Sequence, residues 1–360
     1  MIDERRDRKR VVLAALIPVV TFLGLAAIRV ARHANPDFDE KIFLDVGRHI
    51  LDTGLPIRTY ASPTPSLFFD HTPLYVYVVA LLTAIGEPTV LIIRTTTLVF
   101  GVLTVLMVFR VGLVVRGLGS ALVGSMLVAL NPFFVTYAWF IRMEVPLCFF
   151  LVLALYLMIK ERWLLAGLAI ATAVMLKEIA LAFWLVAVIY VLIRRGRRAA
   201  AVVAVPTLVA FFAWLAYAAS IGFDQLRTLM GRWVGSAAGM AISDPRLHVG
   251  PLRWTGKVIG TVIGPLLVFA SGAGLALAAV SRKPVPTIVV VPLAYVVIAV
   301  VASYLIRLKE PRFIIAVIPM LALVIALWID WGSVWADVRG RGTSHPIGKL
   351  RRWLKDAPEG

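Results

Sequence analysis

The chain has 360 residues, 61% of them hydrophobic, with a mean hydropathy of +0.90 and a formal net charge of +17. Apolar runs near the length that crosses about 30 Å of hydrocarbon exclude an ordinary soluble domain and predict an all-α polytopic membrane protein. The single cysteine, Cys148, excludes a disulfide framework, and the basic excess fits cytoplasmic loops of a membrane protein better than a nucleic-acid surface.

In chain order, apolar runs predict about ten transmembrane helices, at 11–28, 90–110, 118–136, 144–160, 163–176, 178–193, 199–220, 256–280, 285–306 and 312–329. The first follows "RRDRKR" and outlasts a usual signal-peptide core, so it reads as an uncleaved anchor. After it comes "NPDFDEKIF" at 35–43, which sets three acids into a chain with only 20. Phe38, Ile42, Val46 and Ile50 recur every four residues opposite Lys41, Asp45, Arg48 and Asp52, which predicts an amphipathic surface helix over 38–52 that ends at Gly54. Asp37 then falls at the N-cap and Glu40 three residues on, an acidic form of the capping box. Asp39 is left without a structural task, at a helix start whose dipole favours an ionised carboxylate.

The run "LYVYVVALLTAI" at 74–85 spans only 12 residues and reads as a second surface helix started by Pro73, with Tyr75 and Tyr77 at headgroup level. Asp70 and His71 stand at its entrance, where Asp70 is a candidate cap. If this run does not cross, both termini and the loops with "RRGRR" and "SRKP" share one face that holds 21 Lys+Arg against 8 Asp+Glu, and the other face holds 16 against 12. The more basic face is expected to be cytoplasmic.

That topology sends the loop 29–89, the loop 222–255, the turn "RLKEPR" at 307–312 and two hairpin tips, Arg142–Glu144 and Lys177–Glu178, to the outer face. Ionisable residues at membrane depth are costly and mark candidate sites. Asp39, Glu40, Asp70, His71, Arg94, Arg142, Glu144, Lys177, Lys309 and Arg312 gather there. For any one of them an interfacial anchor or local ion pair is the plainer explanation; the convergence of the set is not explained that way. The five histidines, His33, His49, His71, His248 and His345, lack paired ligand spacing, and no phosphate loop, zinc motif or nucleophile elbow is present. No metal and no cofactor is expected. The second outer loop, rich in glycine, reads either as a connector or as a contact surface for an acceptor.

The ordered set of Asp39-Glu40, "DHTPLY" at 70–75, Arg94, "NPFFVTYAWFIRMEVPLCFF" at 131–150, "MLKEIAL" at 175–181 and "KEPRFIIAVIP" at 309–319 resembles the GT-C superfamily of membrane glycosyltransferases. Within it the likeness is to the branch of protein O-mannosyltransferases and lipid A aminoarabinose transferases, over about residues 1–330. The resemblance implies a GT-C transmembrane domain with first and second outer loops at 29–89 and 222–255, followed by a short basic cytoplasmic tail, 331–360. It implies transfer of a sugar from a polyprenyl-phosphate donor to a hydroxyl of a protein, lipid or glycan acceptor, on the outer face of the plasma membrane. Asp39 matches the catalytic carboxylate. Glu40, Asp70, Arg94, Glu144 and Arg312 match further family positions, and His71 stands where many members carry Lys or Pro. The bottom-up chemistry agrees: a carboxylate must take the acceptor proton, and fixed cations such as Arg94, Arg312, Lys177 or Lys309 must meet the charge growing on a lipid phosphate. Two other readings are a transporter or lipid flippase and an inactive accessory protein of the same fold.

Overall fold

The computed structural model describes residues 2–30, 35–62, 64–87, 89–237, 251–264, 267, 285–305, 314–329 and 331. Its helices, in chain order, are α1 (Ile2–Val30), α2 (Phe38–Thr53), α3 (Leu74–Ala84), α4 (Thr89–Arg116), α5 (Leu118–Ala129), α6 (Pro132–Tyr137), α7 (Glu144–Ile159), α8 (Trp163–Leu176), α9 (Ala180–Arg195), α10 (Arg197–Ala237), α11 (Pro251–Lys257), α12 (Val290–Leu305) and α13 (Val317–Trp328). Three segments are long and apolar enough to cross a membrane: Lys9–Arg29, Thr89–Arg116 and Arg197–Thr228. Shorter apolar helices surround them, including α5, α7, α8 and α13. Helices α4, α7 and α8 form a packed row, flanked by α5 and α13 on one side and by α10 on the other. Large apolar side chains of α1 and α10, among them Leu13, Val20, Val209 and Phe212, point outward, as a lipid-facing surface requires.

Two short elements sit across one end of this bundle. Helix α2 begins as the sequence predicts. Asp37 Oδ1 accepts from the Glu40 N–H at 2.9 Å, and Glu40 Oε2 accepts from the Asp37 N–H at 2.8 Å, so both halves of the capping box are made. It ends at Gly54, whose φ of 77° is the left-handed conformation that glycine adopts without a Cβ penalty. Its apolar stripe of Ile42, Val46 and Ile50 packs on α3 and is buried by protein, which refines the expectation of a helix lying on lipid. Gly47 allows that contact, because a Cβ there would meet Val79 Cγ1 at 2.9 Å.

Helix α3 has 11 residues, about 16 Å at 1.5 Å per residue, and cannot cross about 30 Å of hydrocarbon. Thr72 just before it donates to the Val174 carbonyl at the end of α8, and Ala84 leads directly to the start of α4. Both ends of α3 therefore lie at the same end of the bundle. Tyr77 is half-buried and its hydroxyl lies 2.9 Å from that of Tyr217. Tyr75, in contrast, is buried at 3% exposure with its ring edge-on to Phe43, so it is a core residue and not a headgroup anchor. Asp70 does not cap α3: the N-cap position is Pro73 and has no side-chain cap.

Three further departures have local causes. The run 118–136 is two helices, because Pro132 lacks an N–H and disfavours helix at the preceding residue; Asn131 starts α6 by accepting from the Phe134 N–H. The chain after 220 stays helical to Ala237, with a kink at Gly222, where an open loop was expected. The segment between α2 and α3 also contains a two-stranded antiparallel ribbon, β1 (Ile57–Arg58) and β2 (Ser66–Leu67), with Ile57 opposite Leu67. This small element stands outside the all-α expectation. Most of the span 256–280 and the tail 331–360 lie outside the described residues, as do Lys309 and Arg312.

Candidate active site

The starts of α4 and α7, the end of α8 and the α2–α3 layer meet at one end of the bundle. There helix α2, the loop between it and α3, and the start of α7 enclose a cavity of about 210 Å³ lined by Phe38, Asp39, Ile42, Phe43, Arg58, Phe68, Asp70, His71, Arg142, Met143 and Glu144. Five of the residues singled out in the sequence, Asp39, Asp70, His71, Arg142 and Glu144, therefore share one chamber although they come from three separate segments.

Two carboxylates adjacent in sequence take opposite directions, since successive helical residues are about 100° apart. Asp39 faces the cavity, where its Oδ2 accepts from Arg142 Nη1 at 2.5 Å. Arg142 also pairs with Asp37 through Nη2 and lies 5.5 Å from the Tyr137 ring and 5.8 Å from the Phe140 ring. Asp39 thus has a structural partner, which corrects the reading that left it without one. Glu40 turns inward and is fully buried. Its oxygens accept from Arg94 Nε at 2.8 Å and Nη2 at 2.7 Å and from the Ile141 N–H at 2.8 Å. Burial raises the Glu40 pKa, but the bonds from Arg94, Ile141 and Asp37 and the guanidinium charge outweigh it and hold it below the ordinary glutamate value.

Arg94 lies behind the cavity wall, 2% exposed, between the Trp139 and Phe140 rings and against the Asn35 carbonyl. Neither Glu40 nor Arg94 is in the cavity lining; the pair closes the joint between α2, α4 and the α6–α7 turn. Lys177 is likewise buried and donates to Glu144 Oε1 at 2.6 Å, so it acts on the chamber through Glu144.

On the opposite wall Arg58 Nη1 donates to Asp70 Oδ2 at 3.2 Å, and its Nε donates to the Tyr60 carbonyl at 3.1 Å. Arg58 is a cavity cation missed in the sequence, where it sits in a polar loop outside any apolar run. The loop that carries it is tied down by Asp45, which accepts from the Thr59 N–H, the Thr59 hydroxyl and the Tyr60 N–H at 2.7 to 2.8 Å. Burial raises the Asp45 pKa and these donors reverse the shift. His71 Nδ1 lies 3.4 Å from both Glu178 oxygens, which links the segment before α3 to the α8–α9 turn. The β-ribbon is joined to α10 beyond its kink by Leu67 N–H donating to Gln225 Oε1 at 3.0 Å. Among the described residues no group of three or more His, Cys, Asp or Glu side chains is placed to hold a metal ion.

Residues 70–242, which carry Asp70, His71, Arg142 and Glu144, match the family model described as dolichyl-phosphate-mannose-protein mannosyltransferase. Among solved structures, the chain is similar to ArnT from Cupriavidus metallidurans bound to undecaprenyl phosphate, with a TM-score of 0.69 and 18% identity over 91% of this chain and 63% of that one. It is also similar to the oligosaccharyltransferase AglB from Archaeoglobus fulgidus in complex with an inhibitory peptide and a dolichol-phosphate, with a TM-score of 0.57 and 16% identity over 98% of this chain and 52% of that one. The chain therefore spans less than two thirds of either protein. No curated protein matches the sequence. Both structural relatives belong to the GT-C superfamily, and the chain described here has the GT-C fold of membrane glycosyltransferases.

Proposed function

We propose that the chain transfers a sugar from a polyprenyl-phosphate carrier to an acceptor hydroxyl, with Asp39 as general base, at the outer face of the membrane. The observation that carries this reading is the cavity itself: a carboxylate, Asp39, shares it with Arg58 and Arg142 where helix α7 begins. In such a chamber the acceptor oxygen attacks the anomeric carbon as Asp39 takes its proton. The bond from that carbon to the phosphate oxygen breaks, and its electron pair leaves with the lipid phosphate. Arg58, at the rim of the polar loop, faces that growing charge. Attack and departure on opposite sides of the ring invert the anomeric centre. The ArnT structure holds undecaprenyl phosphate and the AglB structure a dolichol-phosphate, which supports a lipid-phosphate donor.

Gathering of the charged groups at one end of the bundle, away from its middle, favours transfer over a transport path. The outer-face assignment rests on the charge difference between loops. Purified protein in vesicles, given undecaprenyl-phosphate mannose, glucose or aminoarabinose and a mixed acceptor fraction, is expected to move the sugar label. Absence of transfer from all three donors counts against the reading. A cysteine placed at the exposed Thr64 is expected to react with an impermeant reagent from outside intact cells, and reaction only after lysis would reverse the sidedness.

A further inference from the structure

Two residues of the cavity lining, two positions apart, each have a buried polar atom without a hydrogen-bond partner among the described residues. Glu144 is 3% exposed; Lys177 occupies its Oε1, but Oε2 is buried without a hydrogen bond among the described residues. Arg142 is 6% exposed; Nη1 and Nη2 reach Asp39 and Asp37, but Nε is buried without a partner among the described residues. Buried groups of this kind are few in native proteins and each costs free energy, more so when charged. A second acceptor and donor on one wall therefore call for a ligand that supplies both complements. Around them the chamber offers Phe38, Phe43 and Phe68, which suit the C–H face of a small polar ring.

A phosphate does not fit this wall, since its oxygens would meet the Glu144 carboxylate and could donate nothing to it. A hydroxyl does: its O–H donates to a carboxylate and its oxygen accepts from a guanidinium N–H. The chamber, at about 210 Å³, is below the roughly 300–1,000 Å³ of drug-sized ligand pockets, which suits one sugar ring better than a longer glycan.

On the reading that the donor is a lipid-phosphate sugar, we propose that Arg142 Nε and Glu144 Oε2 together bind hydroxyl groups on the ring of the sugar being transferred. Glu144 is then the residue that selects a hydroxylated pyranose, and Lys177 is a positioning residue that fixes the Glu144 carboxylate. The phosphate end of the same donor lies toward Arg58.

The test is equilibrium binding in nanodiscs, which does not depend on turnover. Wild type, Glu144→Gln and the double variant Glu144→Gln/Lys177→Met are titrated with undecaprenyl phosphate, with undecaprenyl-phosphate mannose and glucose, and with monodeoxy versions of the tighter of the two. The double variant removes both buried charges, so an unpaired lysine does not confound the result. Wild type is expected to gain affinity from the sugar. Both variants are expected to lose roughly 10- to 100-fold of that gain while keeping wild-type affinity for undecaprenyl phosphate. One monodeoxy donor should reproduce the loss in wild type. Variants that keep the sugar-dependent gain, or wild type that gains nothing from either sugar, overturn the assignment. Sugar-dependent binding with no transfer in the vesicle assay contradicts the proposed reaction and leaves the sugar contact standing.

Discussion

Glu40 and Asp39 are neighbours in one helical turn, yet they belong to different regions of the molecule. Glu40 lies in a dry joint where Arg94, two backbone N–H groups and two aromatic rings surround it. Asp39 lies on a chamber with Arg142 beside it and open volume in front. The joint pairs both Glu40 oxygens; at the chamber, Arg142 Nε and Glu144 Oε2 have no hydrogen bond among the described residues. An acidic pair that looks like a single motif thus divides into one residue buried in the fold and one that faces the chamber.

Replacing Arg94 by Met is expected to show the closed side of this division most strongly. It strands the buried Glu40 charge and should cost about 3–5 kcal/mol of stability, read as a lowered thermal midpoint in detergent. A midpoint within a degree of wild type would place Glu40 in a wetter environment than the structure shows. Asp45→Ala should be milder, about 1–2 kcal/mol, since the three donors it releases can reach water. Its distinguishing mark is faster amide exchange at Thr59 and Tyr60 with the bundle unchanged.

Acid sharpens the same comparison. The folded pKa of Glu40 and of Asp45 is lowered, so their stabilising contribution is complete above the ordinary values of 4.5 and 3.8 and is lost as pH falls below them. The thermal midpoint of wild type should therefore drop below about pH 4.5, and Arg94→Met should show a shallower drop because Glu40 no longer has a lowered pKa to lose. Equal acid slopes would contradict the Glu40–Arg94 assignment. The smallest effect is expected at Gln225→Ala, where one half-exposed hydrogen bond from the β-ribbon is lost, within about 1 kcal/mol.

Much of this arrangement is legible in the sequence, for physical reasons that differ by residue. The capping box of Asp37 and Glu40 and the stop at Gly54 are local rules and appear as predicted. Apolar length marks Lys9–Arg29, Thr89–Arg116 and Arg197–Thr228 as long enough to cross a membrane, and the helix at 74–84 as short. Partner choice is not local. The joining of Glu40 to Arg94 depends on α2 folding back over the start of α4, and that of Glu144 to Lys177 on the α7–α8 packing. Arg58 carried no apolar context to mark it, and only the β-ribbon and the Asp45 tether bring it to Asp70. The kinked extension of α10 was hidden because glycine and polar residues near 222 read as a loop.

The division between the two neighbours is tested most directly by sugar transfer in vesicles by Asp39→Asn, beside wild type at equal amounts of folded protein. The amide keeps the size and a hydrogen bond to Arg142 but cannot take a proton, so the rate should fall by about 10²–10⁴-fold with the thermal midpoint nearly kept. Undiminished transfer by Asp39→Asn would contradict the account.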